Sequence, residues 1–355
     1  MAAKYTQLAE SLRGQLSAIA AQGGRLPTEA ELMQRYGVSR QTVRHALSLL
    51  REQGLIRSIH GSGSYVISTK ERRDPKQIAV VTTFLDDYIF PSILHDVQNV
   101  FAQEGYSTLI YATDNSVAAE REILSKLLDS DVSAILIEGS KTALPTPNTD
   151  LFMRLRDKGV PMLFLHGTYS NLSGFPAIVD DNYGGGRMLT RYLIDKGHRQ
   201  IAGIFKSDDK QGLERCHGMV EAMRDAGLPI PDGKICWYDS IQRHGMVNHK
   251  HTQLIQNALK QQLSEASAII CYNDEIAHIL INCLLEQGRR VPQDVAVVSF
   301  DNSYYSQIGP VPISSLGHGS NRIGRLAAGS ILRLLRGDAP QCASLDWVLI
   351  ERQSG

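Results

Sequence analysis

The sequence predicts an α/β protein in two unequal parts. A winged helix-turn-helix occupies residues 1–68, a linker residues 69–76, and a two-lobed α/β body residues 77–355. Three observations predict this. The first part reads as helices followed by a hairpin. The second alternates short apolar strands with helical patterns. The charge divides at the same place: residues 1–76 hold 12 Lys+Arg against six Asp+Glu, and the whole chain holds 37 of each, so the head carries +6 and the remainder −6. A basic head on an acidic body points to a polyanionic partner for the head alone.

In the head, Tyr5, Leu8, Leu12, Leu16 and Ile19 recur at helical spacing, which predicts a first helix near Tyr5 to Ala21. In GGRLPTEAELMQRYG, Thr28 and Glu31 form a capping-box pattern, so a second helix begins at Glu29, and Gly37 fits its left-handed C-terminal turn. Ser39 is placed to cap a third helix. On that helix Val43, Ala46, Leu47 and Leu50 fall on one side, Gln41, Arg44, His45 and Ser48 on the other, and Arg40 and Thr42 flank its start. A helix presented this way enters the DNA major groove with its N-terminal residues at base edges, where Arg reads guanine and Gln reads adenine. LIRSIHGSGSYVI then reads as strand, glycine turn and strand, a wing with His60 and Gly61 at its tip.

STKERRDPK reads as a hinge linker. In the body, IAVVTTF, STLIYAT, AILIEG, PMLFLHG, IAGIFK, AIICYN and VAVVSF read as strands separated by helices, hence parallel βαβ units in two lobes. Open α/β sheets bind ligands beyond the carboxyl ends of their strands. The residues there are Asp86, Tyr88 and Phe90; Glu138 and Lys141; His166; Asp180 and Asp181; Gln211 and Arg215; Asn273 and Asp274; and Asp301. Carboxylates, amides and an arginine suit a hydroxyl-rich ligand, and aromatics suit its apolar face. Asp274 could instead cap the helix that follows it.

Other signals are weaker. Cys216, Cys236, Cys271, Cys283 and Cys342 are odd in number and form no CxxC pair, which predicts reduced thiols and a cytoplasmic setting. No leader pattern and no membrane-length apolar run is present. Gly184–Gly186 lacks a following GKS or GKT and reads as a tight helix start. His244, His249 and His251 fit no common zinc spacing. The expectation is therefore no metal and no cofactor. An enzyme acting on sugars, such as a kinase or isomerase, is the competing class. It would need a phosphate cradle or a metal cluster, and it would leave the helix-turn-helix unexplained.

Two resemblances sharpen this reading. RLPTEAEL, YGVSRQTVRHAL, the L-x-x-Q-G-L-I pattern and HGSGSYV, in that order, resemble the winged helix of GntR-family bacterial regulators. That resemblance implies DNA contacts at Lys4, Arg40, Thr42, Arg44, His60 and Gly61, to which the reading of the helix start adds Ser39 and Gln41. Many members carry Arg where this chain has Ala30. AVVTTFLDDYIFPSIL, VDDNYGGGRMLTRYLIDKGHRQI, RCHGMVEAM, CYNDEIA and VVSFDN resemble the effector domain shared by LacI-type repressors and periplasmic sugar-binding proteins. With KTALPTPN and FKSDDKQG-x-x-R, nearly the whole chain is similar to the arabinose-responsive repressors of Gram-positive bacteria. The resemblance implies a homodimeric repressor, L-arabinose as inducer, and effector contacts at Tyr88, Phe90, Glu138, Lys141, His166, Asp181, Gln211, Arg215, Asn273 and Asp301. Composition and spacing alone indicate only a small polyol, so another pentose or galactose stays open.

Overall fold

The structure is a computed structural model that describes residues 4–21, 24–52, 55–59, 63–66, 76–85, 89–229, 232–248, 250–318 and 323–355. His60, Gly61, Asp86 and Tyr88 lie outside these, as does most of the expected linker. The chain divides into two compact units, Met1–Pro75 and Lys76–Gly355.

The first unit packs α1 (Lys4–Ala21), α2 (Glu29–Tyr36) and α3 (Arg40–Glu52) beside an antiparallel pair, β1 (Ile56–Ile59) and β2 (Gly63–Val66). Its core joins Leu8, Leu12 and Leu16 of α1 to Leu32 of α2, Val43, Ala46, Leu47 and Leu50 of α3, and Ile56 of β1. Thr28 and Glu31 form the reciprocal capping box, and Gly37 closes α2 in the left-handed region. Arg25 adds an isolated bridge to Tyr65 at the hairpin's edge.

The second unit has two lobes. The first is a six-stranded parallel sheet of β3 (Gln77–Thr82), β4 (Ser107–Ala112), β5 (Ala134–Ile137), β6 (Met162–Leu165), β7 (Ala177–Asp180) and β13 (Ala343–Leu345), in the order β13-β7-β6-β5-β3-β4. Helices α4 (Phe90–Gln103), α5 (Val117–Leu128), α6 (Thr149–Asp157) and α12 (Ile323–Leu335) cover it. One face is sealed by Phe90, Ile93, Val97 and Phe101 of α4 against Ile323, Ala327 and Ile331 of α12. The other is sealed by Ile123, Leu124 and Leu127 of α5 with Leu151, Phe152 and Leu155 of α6.

The second lobe orders its strands β14-β12-β11-β10-β8-β9. These are β8 (Ile201–Lys206), β9 (Ile235–Tyr238), β10 (Ala268–Cys271), β11 (Ala296–Phe300), β12 (Ser314–Gly317) and β14 (Val348–Ile350), and only β14 runs antiparallel to its neighbour. Its helices are α7 (Asn182–Asp195), α8 (Lys210–Asp225), α9 (Ser240–Asn248), α10 (Gln253–Lys260) and α11 (Asp274–Glu286). The chain passes between lobes after β7, between β12 and α12, and between β13 and β14. Cys216, Cys236, Cys271 and Cys283 are buried in the second lobe's core, whereas Cys342, just before β13, is exposed.

Gly184–Gly186 lies in the first turns of α7, and the reason is packing. A Cβ on Gly186 would sit 2.2 Å from the Arg215 carbonyl oxygen, and one on Gly218 would sit 2.1 Å from that of Tyr183. The glycines let α7 and α8 touch backbone to backbone.

Candidate nucleic-acid interface and ligand cleft

In the head, α3 buries its apolar face and leaves Arg40, Gln41, Arg44 and His45 exposed. Ser39 Oγ accepts the Thr42 amide and meets the Thr42 hydroxyl at 2.9 Å, so this pair builds the helix start. Both arginines converge on Glu29 of α2: Arg40 Nε lies 2.9 Å from one carboxylate oxygen and Arg44 Nε 3.3 Å from the other. The Arg40 hydrogen bond, with both guanidinium charges, holds Glu29 below the usual carboxylate range. The guanidinium side chains remain 70% and 68% exposed, so a phosphate or base edge can still reach them. Lys4 is exposed at the start of α1.

In the body, a cavity of about 450 Å³ lies between the lobes at the carboxyl ends of both sheets. Among the sequence-predicted residues, Glu138, His166, Gln211, Arg215, Asn273 and Asp301 line it. Three described ones do not, and each has another task. Asp181 turns away and caps α7 through the Gly184 amide, so the carboxylate that lines the cleft is its neighbour Asp180. Lys141 lies at the seam between lobes, 3.8 Å from Asp208, with its amide donating to Asn115. Phe90 is buried behind the wall, its ring edge-on to His166 at 6.3 Å between centroids.

A polar chain joins buried His166 and Asp180 to half-buried His318. His166 Nδ1 donates to Asp180 Oδ2 at 3.1 Å, and His318 Nε2 lies 2.9 Å from Asp180 Oδ1. Burial opposes protonation of His166, but Asp180, assisted by Glu138 and Asp301, pushes it up to about 9. Burial likewise opposes ionisation of Asp180, and the two imidazoles hold it well below the carboxylate range. His166 Nε2 is buried with no protein partner among the described residues, a donor facing the cleft.

Arg215 is wholly buried, its guanidinium over the rings of Phe300 (4.2 Å), Tyr272 (4.8 Å) and Trp347 (5.6 Å). It donates to Asn182 Oδ1 at 2.9 Å, to the Tyr272 carbonyl, and to Asp301 at 3.5 Å. Gln211 joins the lobes by donating to Asp180 and accepting from the Tyr272 hydroxyl. Glu138 is fixed by the Thr83 amide and hydroxyl. Asn273, rather than Asp274, caps α11 through the Ile276 amide. Asp274 is buried beneath the site on Ser299 and Ser303, and burial with the Asp301 charge pushes it up to about 7.

Sequence reading missed Lys206, Asp209, Arg243, His318 and Trp347. Lys206 is buried on Asp209 at 2.5 Å, and Arg243 forks onto Glu275 at 2.9 and 3.2 Å. Both cations reach the Phe84 ring of the opposite lobe, at 5.5 and 4.6 Å. Trp347 stacks on His318 at 4.0 Å and donates to the Asp181 carbonyl. The lobes also meet directly: Asn115 donates to Ser240 (2.6 Å) and Asp209 (3.2 Å), and the Lys210 amide to Thr142 (3.1 Å). Lys206, Arg215 and Arg243 each have a carboxylate within ion-pair distance, His166 and His318 share Asp180, and Glu138 on the same wall brings the acids to five against these five groups. Such a wall offers alternating donors and acceptors with its charge already balanced, which suits a neutral polyol better than an anion.

Among the described residues no group of three or more His, Cys, Asp or Glu is arranged for a metal ion, and no helix is long and apolar enough to cross a membrane. Residues 4–66 match the bacterial regulatory proteins of the gntR family, and residues 190–355 match the periplasmic binding protein-like domain. The chain is 31% identical over 339 residues to an arabinose metabolism transcriptional repressor of Halalkalibacterium halodurans, covering 94% of this chain and 89% of that one. It is also 31% identical to a protein of that description from Geobacillus stearothermophilus, over 88% and 85% of the two chains. A transcriptional regulator CelR–cellobiose complex has a similar fold, with a TM-score of 0.67 at 23% identity over 90% of this chain and 92% of that one.

Proposed function

The chain belongs to the family of arabinose metabolism transcriptional repressors, and from that premise we propose that L-arabinose, seated between the lobes of the body, releases the head from operator DNA. It is a transcriptional regulator rather than an enzyme, and a sugar effector takes the place of a cofactor. The observation that carries the effector reading is the charge-balanced cleft. Glu138, Asp180 and Asp301 offer acceptors, and His166 and Gln211 offer donors, from opposite sides of one small polar space. Asn273 and Arg215 complete the polar wall, and Trp347 and Phe84 supply apolar faces for the sugar's C–H groups.

In the head, Arg40, Gln41 and Arg44 read base edges, and Lys4 and the wing at His60 and Gly61 hold phosphates. Ser39 and Thr42 join through the exposed start of the same helix. Two heads on a cytoplasmic homodimer engage the half-sites of a near-palindrome. Sugar draws the lobes together, as the Asn115–Ser240 and Thr142–Lys210 bonds suggest, and the altered body no longer holds the heads at the operator's spacing.

Fluorescence anisotropy on an operator duplex tests this. L-arabinose should raise the apparent operator Kd by about 5–150-fold, and operator should weaken sugar binding by the same factor. Thermal unfolding supplies the control: at 100 times its Kd the sugar should stabilise the body by about 2.7 kcal/mol. A shift given by D-xylose or D-galactose but not by L-arabinose would replace the effector and leave the architecture intact.

A further inference from the structure

We propose that the cleft accepts two linked sugar rings, an inner one against the strand ends and an outer one along α4, so that an arabinose-containing disaccharide is also an effector. This rests on the effector reading above and deepens it. The first observation is size. A pentose displaces roughly five waters, about 150 Å³ at about 30 Å³ each, and the cavity measures about 450 Å³. One ring against the inner polar wall leaves space toward the open rim.

The second observation is what lines the rest. Ile89, Ser92, Ile93 and Asp96 stand at i, i+3, i+4 and i+7, on one face at the start of α4, and Ile323 of α12 closes that end of the cavity. Ile93, Ile323 and Asp96 are buried and form a floor, apolar except for one carboxylate. Asp96 is held in place by Arg325 at 3.4 Å. Ser92 is exposed at the rim, with its hydroxyl turned onto the Ile89 carbonyl. Isoleucine side chains suit the C–H face of a second ring, and Asp96 suits its hydroxyls. The exposed rim lets a ligand longer than one ring extend outward while its first ring stays in the inner wall.

Calorimetry on the full chain with L-arabinose and with α-1,5-linked arabinobiose, repeated on Ser92→Tyr, tests the proposal. Ser92 is exposed and lies outside the inner wall, so the variant fills the outer space without disturbing the first ring. The expected result is that both sugars bind the parent protein, and that Ser92→Tyr weakens the disaccharide tenfold or more while leaving L-arabinose unchanged. Binding of L-arabinose without the disaccharide would overturn the second subsite and leave the monosaccharide reading standing. Equal loss of both sugars in Ser92→Tyr would also overturn it. Binding of the disaccharide alone, lost in the variant, would support the subsite and remove the monosaccharide as effector. Binding of neither would remove both.

Discussion

At the scale of single residues, the cleft is built by backbone that few side chains adopt. His166 (φ 62°) and Asp301 (φ 93°) both stand in the left-handed region directly after strands β6 and β11. That conformation costs on the order of 1–3 kcal/mol per residue, and the buried network around both holds it. Six of the ten expected effector positions line the cleft because strand ends are visible in sequence. Asp180 rather than Asp181 lines the cleft for a physical reason: two adjacent carboxylates end β7, and the hydrogen bond to Gly184 makes Asp181 the cap. Arg243 was hidden because its partner Glu275 is 32 residues distant and its helix carries no strong apolar stripe. The His166–Asp180 pair carries a pH signature. His166 is raised to about 9, so its contribution is full below about pH 6.5 and is lost as pH rises through 9. Asp180 is lowered, so its contribution is present above about pH 4 and is lost on acidification. Stability should therefore fall as pH rises from about 6.5 to about 9 in the parent protein and level off above that. Asp180→Asn should remove that step and lower the His166 pKa, which a histidine NMR titration reads directly.

At the scale of elements, long amphipathic helices and β-branched strands were legible, and short or plain ones were not. The helix, glycine turn and helix of the head follow from capping chemistry written within a dozen residues. By contrast, β13 (ASL) and β14 (VLI) are three residues each, and β12 (SSLG) has no β-branched residue at all. They are strands because the sheet edge beside them offers a ladder, which local sequence does not announce. The triple glycine illustrates the same limit: its helical start was foreseen, but its use as a contact surface for α8 was not. Gly186→Ala should push its methyl into the Arg215 carbonyl and cost about 1–3 kcal/mol. The unfolding midpoint should drop by several degrees, and sugar binding should weaken because α8 carries Gln211 and Arg215. Gly329→Ala in α12, where a Cβ meets nothing within 4 Å, should instead leave the midpoint unchanged or raised.

At the scale of the whole molecule, a basic reader of DNA and a neutral, charge-balanced sugar cleft share one chain, and the division of charge visible in the sequence is also a division of labour. The lobes are tied by three chain passages, and Trp347 on one of them contacts the other two through His318 and the Asp181 carbonyl, so the proposed closure would move whole lobes rather than a loop. The distribution of sulfur makes such movement observable. Four thiols are sealed in the second lobe, where burial pushes Cys216 and Cys236 up to about 11, and the fifth, Cys342, is open on the first. A maleimide dye should thus couple with a stoichiometry of one per native chain and five per denatured chain. That single natural attachment point permits energy transfer between dyes on two chains, or between a dye and the end of an operator duplex, without engineering a cysteine-free background.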